Sequence, residues 1–287
     1  MKLGFIGLGQ ITNALIAGIL RNKLAEPEEI IGSCRTEETR KALKEQLGIQ
    51  VTEHNHVVAK KADILFLGIP SAALDEVLDE IRPHVDNKKL VISLAPSGSL
   101  EWLDRELSGD GVVGFDLDGD QRRKADKLKI VRALPNTPAI VGAGMIVFAP
   151  NQNLTKDEIE VVTGLLGTCG QVQAIPEALF SVVGTLTGTA PAIALMMVEA
   201  MADAAATGGL SRDAAYSFAA QSLMGTASML LATEMHPGQL RDMVCTPESG
   251  RTEAVRVLES TGFRSAVMES LKAVEQFQSI SDAGMQK

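Results

Sequence analysis

Apolar residues recur along this chain in two rhythms, and each change of rhythm marks a new element. Lys2 to Ile6 is a short apolar run; Gly7-Leu8-Gly9-Gln10-Ile11-Thr12 follows, and Asn13 to Leu20 then places apolar side chains at helical spacing. Glu28 to Arg35 reads as a second strand with its exit turn, and Thr36 to Leu47 as a charged amphipathic helix. Ile49 to Thr52 reads as a short third strand, and Asn55 falls in a turn between His54 and His56. Ala62 to Pro70 is almost continuously apolar, as a strand buried on both faces should be. Leu74 to Ile81 returns to helical spacing, and Lys89 to Ala95 is another buried strand. Lys129 to Leu134 runs into Pro135-Asn136-Thr137-Pro138-Ala139, a strand end stiffened by two prolines. Gly144 to Pro150 and Gly170 to Ile175 read as strands around a helix over Asp157 to Thr168. Beyond Pro176 the rhythm is helical throughout. Leu179 to Ala206 is one long apolar helix, interrupted by Gly188 and Pro191, and Ser211 to Thr233 is a second.

Strands alternating with helices and then helices alone predict an α/β domain over 1–174 and an all-α domain over 175–287. The opening strand, glycine turn and helix make the phosphate-binding corner of a dinucleotide fold. Gly7 lets the chain turn, and Gly9 lets the backbone approach a pyrophosphate. The helix start then offers free N–H groups. Thr12 stands where the fingerprint has its third small residue. The end of the second strand selects the nucleotide. An acid there would bond the ribose 2′-hydroxyl of NAD; Ser33, Arg35 and Thr36 instead suit a 2′-phosphate, so NADP is favoured and NAD stays open. The proline-framed loop holds the Asn136 amide and the Thr137 hydroxyl ready for a nicotinamide.

The 287 residues suffice for two domains, and with 45% hydrophobic but only 3% aromatic residues the core must be aliphatic. A net charge of −9 argues against nucleic acid or an anionic membrane as partner. Cys34, Cys169 and Cys245 are scattered and lack metal spacing, which fits a reduced, cytoplasmic setting. No leader is expected, because residue 2 already belongs to a strand, and the longest apolar run looks short of the roughly 20 residues of a membrane span. The two long apolar helices need a cover, and a symmetric partner supplies one: a homodimer or higher homo-oligomer. Met196, Met197, Met201, Met224 and Met229 then read as core or interface. His54 and His56 lack a third ligand, so no metal is expected. Residues 109–127 form an acidic, glycine-containing stretch expected to be an exposed loop; its alternating Asp116, Asp118 and Asp120 lack the distal glutamate of a calcium loop.

Four segments carry a resemblance: Gly4-Phe5-Ile6-Gly7-Leu8-Gly9, Leu134-Pro135-Asn136-Thr137-Pro138-Ala139, His236-Pro237-Gly238-Gln239-Leu240-Arg241-Asp242 and Leu258-Glu259-Ser260-Thr261-Gly262-Phe263-Arg264. Through them the chain resembles the pyrroline-5-carboxylate reductase family over essentially its full length. The resemblance implies an N-terminal Rossmann domain with a doubly wound sheet, followed by an all-α dimerisation domain. It also implies NAD(P)H-dependent reduction of a cyclic imino acid to proline. Carried over by position, Gly7, Leu8, Gly9, Gln10, Ile11 and Thr12 would hold the pyrophosphate, and Ser33, Arg35 and Asn55 the adenosine phosphate. Ile69, Pro70, Asn136 and Thr137 would flank the nicotinamide, and Glu234 matches a helix carboxylate near the substrate nitrogen.

The chain departs from the family where substrate should lie. After Asp242-Met243-Val244 it reads Cys245-Thr246-Pro247-Glu248-Ser249-Gly250-Arg251-Thr252, where the family reads Ser-Pro-Gly-Gly-Thr/Ala-Thr. Aligned without a gap, the family's substrate-contacting hydroxyl falls on Arg251; a shift of one residue restores it as Thr252. Backbone N–H groups of 248–252, the Thr246 and Ser249 hydroxyls, and Arg251 are the expected carboxylate holders, with Glu234 steadying an iminium. The rival for Arg251 is an ion pair with Glu248 or Glu253. Three readings stay open at this point. The first is an imine reductase acting on pyrroline-5-carboxylate, the second a reductase of another imino or keto acid, and the third a silent NADP-binding regulator. A hydroxyacid-dehydrogenase-like chemistry is disfavoured, because no lysine occurs between Lys156 and Lys272.

Overall fold

The computed structural model describes residues 1–109, 127–246 and 250–285. It divides into two units, Met1–Val183 and Gly184–Lys287. The first unit is built on β1 (Leu3–Ile6), α1 (Gln10–Arg21), β2 (Ile30–Ser33), α2 (Glu37–Leu47), β3 (Gln50–Thr52), α3 (Asn55–Lys61) and β4 (Ile64–Leu67). It continues with α4 (Leu74–Ile81), β5 (Leu90–Ser93), α5 (Leu100–Ser108), β6 (Lys129–Leu134), β7 (Gly144–Pro150), α6 (Lys156–Leu166) and β8 (Gly170–Ala174). The strands form one eight-stranded sheet in the order β3-β2-β1-β4-β5-β6-β7-β8. The order reverses between β1 and β4, the switch point outside which open sheets of this kind bind ligands. The expected Rossmann sheet is therefore present. Among the described strands only the β6–β7 pair is antiparallel, so β7 and the β8 parallel to it run against the other six. Residues 135–143, which join β6 to β7, are too few for the crossover a parallel pair requires.

The central strands β1 and β4 are apolar and buried at every position because both sheet faces are covered there. In β4, Ile64 and Phe66 enter one core with Leu3, Phe5, Ile16 and Ile19, whereas Leu65 and Leu67 enter the other with Leu78, Val91 and Leu103. Phe5 and Phe66 stack with ring centroids 4.6 Å apart across neighbouring strands. A fully buried side chain of this size contributes about 1.5–3 kcal/mol.

The second unit is helical: the long α7 (Phe180–Thr207) crosses into it, followed by α8 (Arg212–Thr233), α9 (Pro237–Val244), α10 (Arg251–Ser260) and α11 (Phe263–Met285). Its apolar side chains lie largely on the surface: Leu195 is 64%, Met196 69%, Phe218 62% and Leu231 78% exposed. The methionines expected as core or interface divide accordingly: Met196, Met201 and Met224 are exposed, and Met197 and Met229 are half-buried.

Three expectations need correction. Asn55 is not in a turn but opens α3, because the cap of that helix comes from a distant residue that local sequence does not reveal. The helix over 180–207 is continuous through Gly188 and Pro191; an interior proline deletes one ladder bond, and the apolar run on either side keeps the helix going. Third, Glu177–Thr207 is long and apolar enough to cross a membrane by length and composition. Small residues between the larger apolar ones had made that run look shorter. The acidic loop expected within 109–127 falls almost wholly on 110–126, outside the described residues.

The sheet and α1 meet at unusually short range. A Cβ on Gly68 would overlap Thr12 Oγ1, and one on Gly7 would overlap the Gly68 carbonyl oxygen. We predict that Gly68→Ala lowers unfolding free energy by about 1–3 kcal/mol through overpacking. Adding Thr12→Ala should recover part of the loss, a coupling that denaturant titration of the double-mutant cycle would detect.

Candidate active site

At the end of β1 the chain turns through Gly7, whose φ of +87° is open to glycine at little cost. Leu8 does not face outward; it is 7% exposed and packs on Gly32 of β2. Gly9 is exposed, caps α1 without a side chain, and has nothing within 4 Å of where a Cβ would stand. The first helical bond runs from the Asn13 N–H to the Gly9 carbonyl at 2.9 Å, so the N–H groups of Gln10, Ile11 and Thr12 lie ahead of the ladder. No acidic residue occupies that first turn. Thr12 itself is 2% exposed with its side chain on Gly68, which leaves only its backbone for a ligand. Asn13 donates to the Leu8 carbonyl at 3.0 Å and keeps a buried Oδ1 without a hydrogen-bond partner. An open glycine, uncapped amides and the helix dipole make an anion cradle that fits a nucleotide's diphosphate.

One sheet position away, β2 ends at Ser33. Its hydroxyl is buried (1% exposed) and donates to Asn55 Oδ1 at 2.7 Å. Asn55 in turn donates to Glu80 of α4 at 2.7 Å. Glu80 also accepts the His56 backbone N–H at 3.1 Å and thereby caps α3. Burial alone would raise the Glu80 carboxyl, but the hydrogen bonds from Asn55 and His56 outweigh it and hold the group below its usual range. Arg35 and Thr36 are exposed, and the Thr36 hydroxyl bonds Thr39. Arg40 shapes their loop, reaching the carbonyls of Cys34 (3.1 Å) and Arg35 (2.9 Å) and Glu53 (3.4 Å). Sequence reading missed both Glu80 and Arg40, since neither sits in a recognisable local pattern.

At the switch point, Ile69 packs against Gly7, and Pro70 is exposed at the head of a short turn over Ser71–Ala73. Asn136 accepts the Met145 N–H at 2.9 Å through its side-chain carbonyl, so β7 fixes its orientation, and Thr137 is exposed beside it. Arg132 of β6 ties this end together. It donates to the Pro96 carbonyl (2.6 Å), pairs with Glu177 (3.2 Å) and lies 4.9 Å from the centre of the Phe180 ring. Glu177 also accepts the Leu100 N–H at 2.8 Å, which anchors α5.

In the helical unit, the two segments that carry the resemblance, 236–242 and 258–264, are helix junctions. His236 caps α9 by accepting the Gly238 N–H at 3.1 Å, Pro237 takes the first turn, and Gln239 reaches back to the His236 N–H. Gly262, at φ +80°, turns the chain from α10 into α11, and Arg264 pairs with Glu259 at 2.7 Å. Glu234 is not within a helix, as the resemblance suggested, but is the left-handed cap of α8, exposed and at φ 54°. A side chain there costs about 1–2 kcal/mol relative to a right-handed residue. Gly250 caps α10, and Arg251 and Thr252 form its exposed first turn. The Thr252 hydroxyl bonds the Thr246 carbonyl at 3.5 Å. Glu253 pairs with Arg256 at 2.6 Å rather than with Arg251. Ser249, with Pro247 and Glu248, lies outside the described residues.

Comparison with known proteins identifies the family. Residues 2–97 match the family model described as NADP oxidoreductase, coenzyme F420-dependent, and residues 177–279 match that of pyrroline-5-carboxylate reductase dimerisation. The chain is 38% identical to the pyrroline-5-carboxylate reductase of Escherichia coli (strain K12) over 98% of both chains. Among solved structures, a pyrroline-5-carboxylate reductase from Coxiella burnetii superposes with a TM-score of 0.83 at 27% identity, covering 96% of each chain. A pyrroline carboxylate reductase from Plasmodium falciparum with NADP bound gives a TM-score of 0.80 at 25% identity, again over 96% of each. The exposed apolar helices thus lie in a dimerisation domain, and the chain belongs to the pyrroline-5-carboxylate reductase family.

Proposed function

We propose that this protein reduces the C=N bond of pyrroline-5-carboxylate to give proline, with NADPH as reductant, and that it works as a cytoplasmic homodimer or larger homo-oligomer. The observation that carries the reading is the uncapped, acid-free start of α1 behind Gly7 and Gly9, in a chain so close to a pyrroline-5-carboxylate reductase along its whole length. The nucleotide-binding part is assigned to 1–174 and the dimerisation and substrate part to 175–287. When bound, the reduced nicotinamide supplies a hydride. The amides of Gly9 to Thr12 hold the diphosphate. Arg35 and Asn55 meet the adenosine end, with Ser33 as their buried support, and Ile69, Pro70, Asn136 and Thr137 bracket the nicotinamide. Glu234 steadies the protonated imine nitrogen, which makes the adjoining carbon a better hydride acceptor. Amides of 250–252, the Thr246, Ser249 and Thr252 hydroxyls and the Arg251 guanidinium hold the substrate carboxylate.

A second reading has one observation behind it. Arg251 is exposed on the first turn of α10, and its neighbour Glu253 is engaged elsewhere. An exposed guanidinium with no ion pair among the described residues suits an imino acid carrying a second anionic group.

NADPH oxidation on addition of pyrroline-5-carboxylate tests the main reading; absence of turnover at millimolar imine would sink it, and faster turnover of a dicarboxylic cyclic imine would favour the second. Arg251→Ala should raise KM for the imine about tenfold, the worth of one charge-assisted contact; an unchanged KM removes Arg251 from the substrate site. Glu234→Gly should raise thermal stability by about 1 kcal/mol, since glycine accepts φ 54° freely, yet cut kcat about a hundredfold. Glu234→Gln should lose turnover without that gain in stability.

A further inference from the structure

We propose that Glu80 is a positioning residue that sets cofactor choice through the polarity of the Asn55 amide. The inference rests on the assignment of the β2 end to the adenosine ribose. Its basis is the hydrogen-bond chain Ser33–Asn55–Glu80, in which both links are 2.7 Å.

An ionised carboxylate can only accept. Glu80 Oε2 therefore requires the Asn55 NH₂ on its side, and Oε1 is committed to the His56 backbone N–H at 3.1 Å and lies 3.3 Å from the His56 ring. The Asn55 carbonyl is left facing the β2 end, where Ser33 donates to one of its lone pairs. What remains there for a ligand is an acceptor. An acceptor bonds a ribose hydroxyl and repels a phosphate oxygen, and the Glu80 charge behind it acts in the same direction. Arg35, exposed on the adjoining loop, acts in the opposite direction. Selection between the 2′-hydroxyl of NADH and the 2′-phosphate of NADPH is thus a balance. Arg35 pulls towards the phosphate, and Glu80, which touches neither nucleotide, restrains it through Asn55.

Replacing Glu80 by glutamine inverts the chain by a forced sequence of steps. The His56 backbone N–H cannot turn around, so the glutamine carbonyl must serve it. The glutamine NH₂ then faces Asn55, whose amide must flip to present its oxygen. The flipped Asn55 turns its NH₂ to the β2 end, as a donor suited to phosphate.

The test is equilibrium binding of adenosine 2′,5′-bisphosphate and of AMP to the full-length protein, with kcat and KM for NADPH and NADH alongside. Glu80→Gln should tighten the bisphosphate relative to AMP about fivefold, the worth of one neutral hydrogen bond. The same factor should appear in the KM ratio of the two cofactors with kcat unchanged. Glu80→Ala should move the ratio the same way, and Glu80→Asp, which keeps an acceptor-only group, should stay near wild type. An unchanged ratio in the folded variants, or failure of both Gln and Ala variants to fold, would make Glu80 only the cap of α3 and overturn the proposal. Asn55→Ala separates the two levels. If it alters nucleotide binding while Glu80→Gln does not, the adenosine assignment stands and the wiring fails. If neither alters it, both fail.

Discussion

The close approach of β1, β4 and α1 is the constraint on which the rest of this molecule depends. Gly7, Gly68 and Thr12 occupy a volume in which no further carbon fits. The turn after β1 is thereby pinned against the end of β4, and α1 is drawn down onto the sheet until its first amides point out over the switch point. Leu8 adds a second pin by filling the space above Gly32. A fingerprint residue that looks like part of a ligand site thus serves the packing that aims the site. Thr12 takes the place of a smaller residue because its hydroxyl side meets Gly68, just past the end of β4, rather than a side chain.

Around that corner, polar groups are held by partners remote in sequence. Glu80, on α4, closes the start of α3 and fixes Asn55, while Arg132 gathers the loop after β5, the start of α5 and the approach to α7 through Pro96, Glu177 and Phe180. Arg132 is a charged group in a partly enclosed setting, where a hydrogen-bonded partner matters more than on an open surface, whereas Glu80 is exposed and holds Asn55 through its several hydrogen bonds. They give the carboxyl end of the sheet a fixed outline although most of it is loop.

The helical unit follows a different logic. Its helices keep large apolar side chains exposed, from Leu195 to Leu231, which is the surface of a domain completed by association. Its carboxylate of interest, Glu234, sits in a backbone conformation that favours glycine. Retaining a charged side chain at such a cost is a pattern found where position serves function more than stability.

Periodicity alone determined the strands and the helices α1, α2, α4, α6, α7 and α8 in their order, because a doubly covered parallel strand is apolar throughout and a packed helix repeats near 3.6 residues. It marked neither α3 nor α5 and did not separate α9, α10 and α11. The glycine turn after β1 was legible because its chemistry is satisfied within a few residues; the caps around His236 and Gly262 are as local, but those segments entered only through the family resemblance. What sequence left undecided was every contact made across the sheet. The antiparallel turn of β7, the capping of Asn55's helix by Glu80, the burial of Ser33 and Thr12, and the continuity of α7 through Pro191 all depend on neighbours far along the chain. Local spacing carries no record of such neighbours; only closure of the tertiary structure brings donor to acceptor and glycine to side chain.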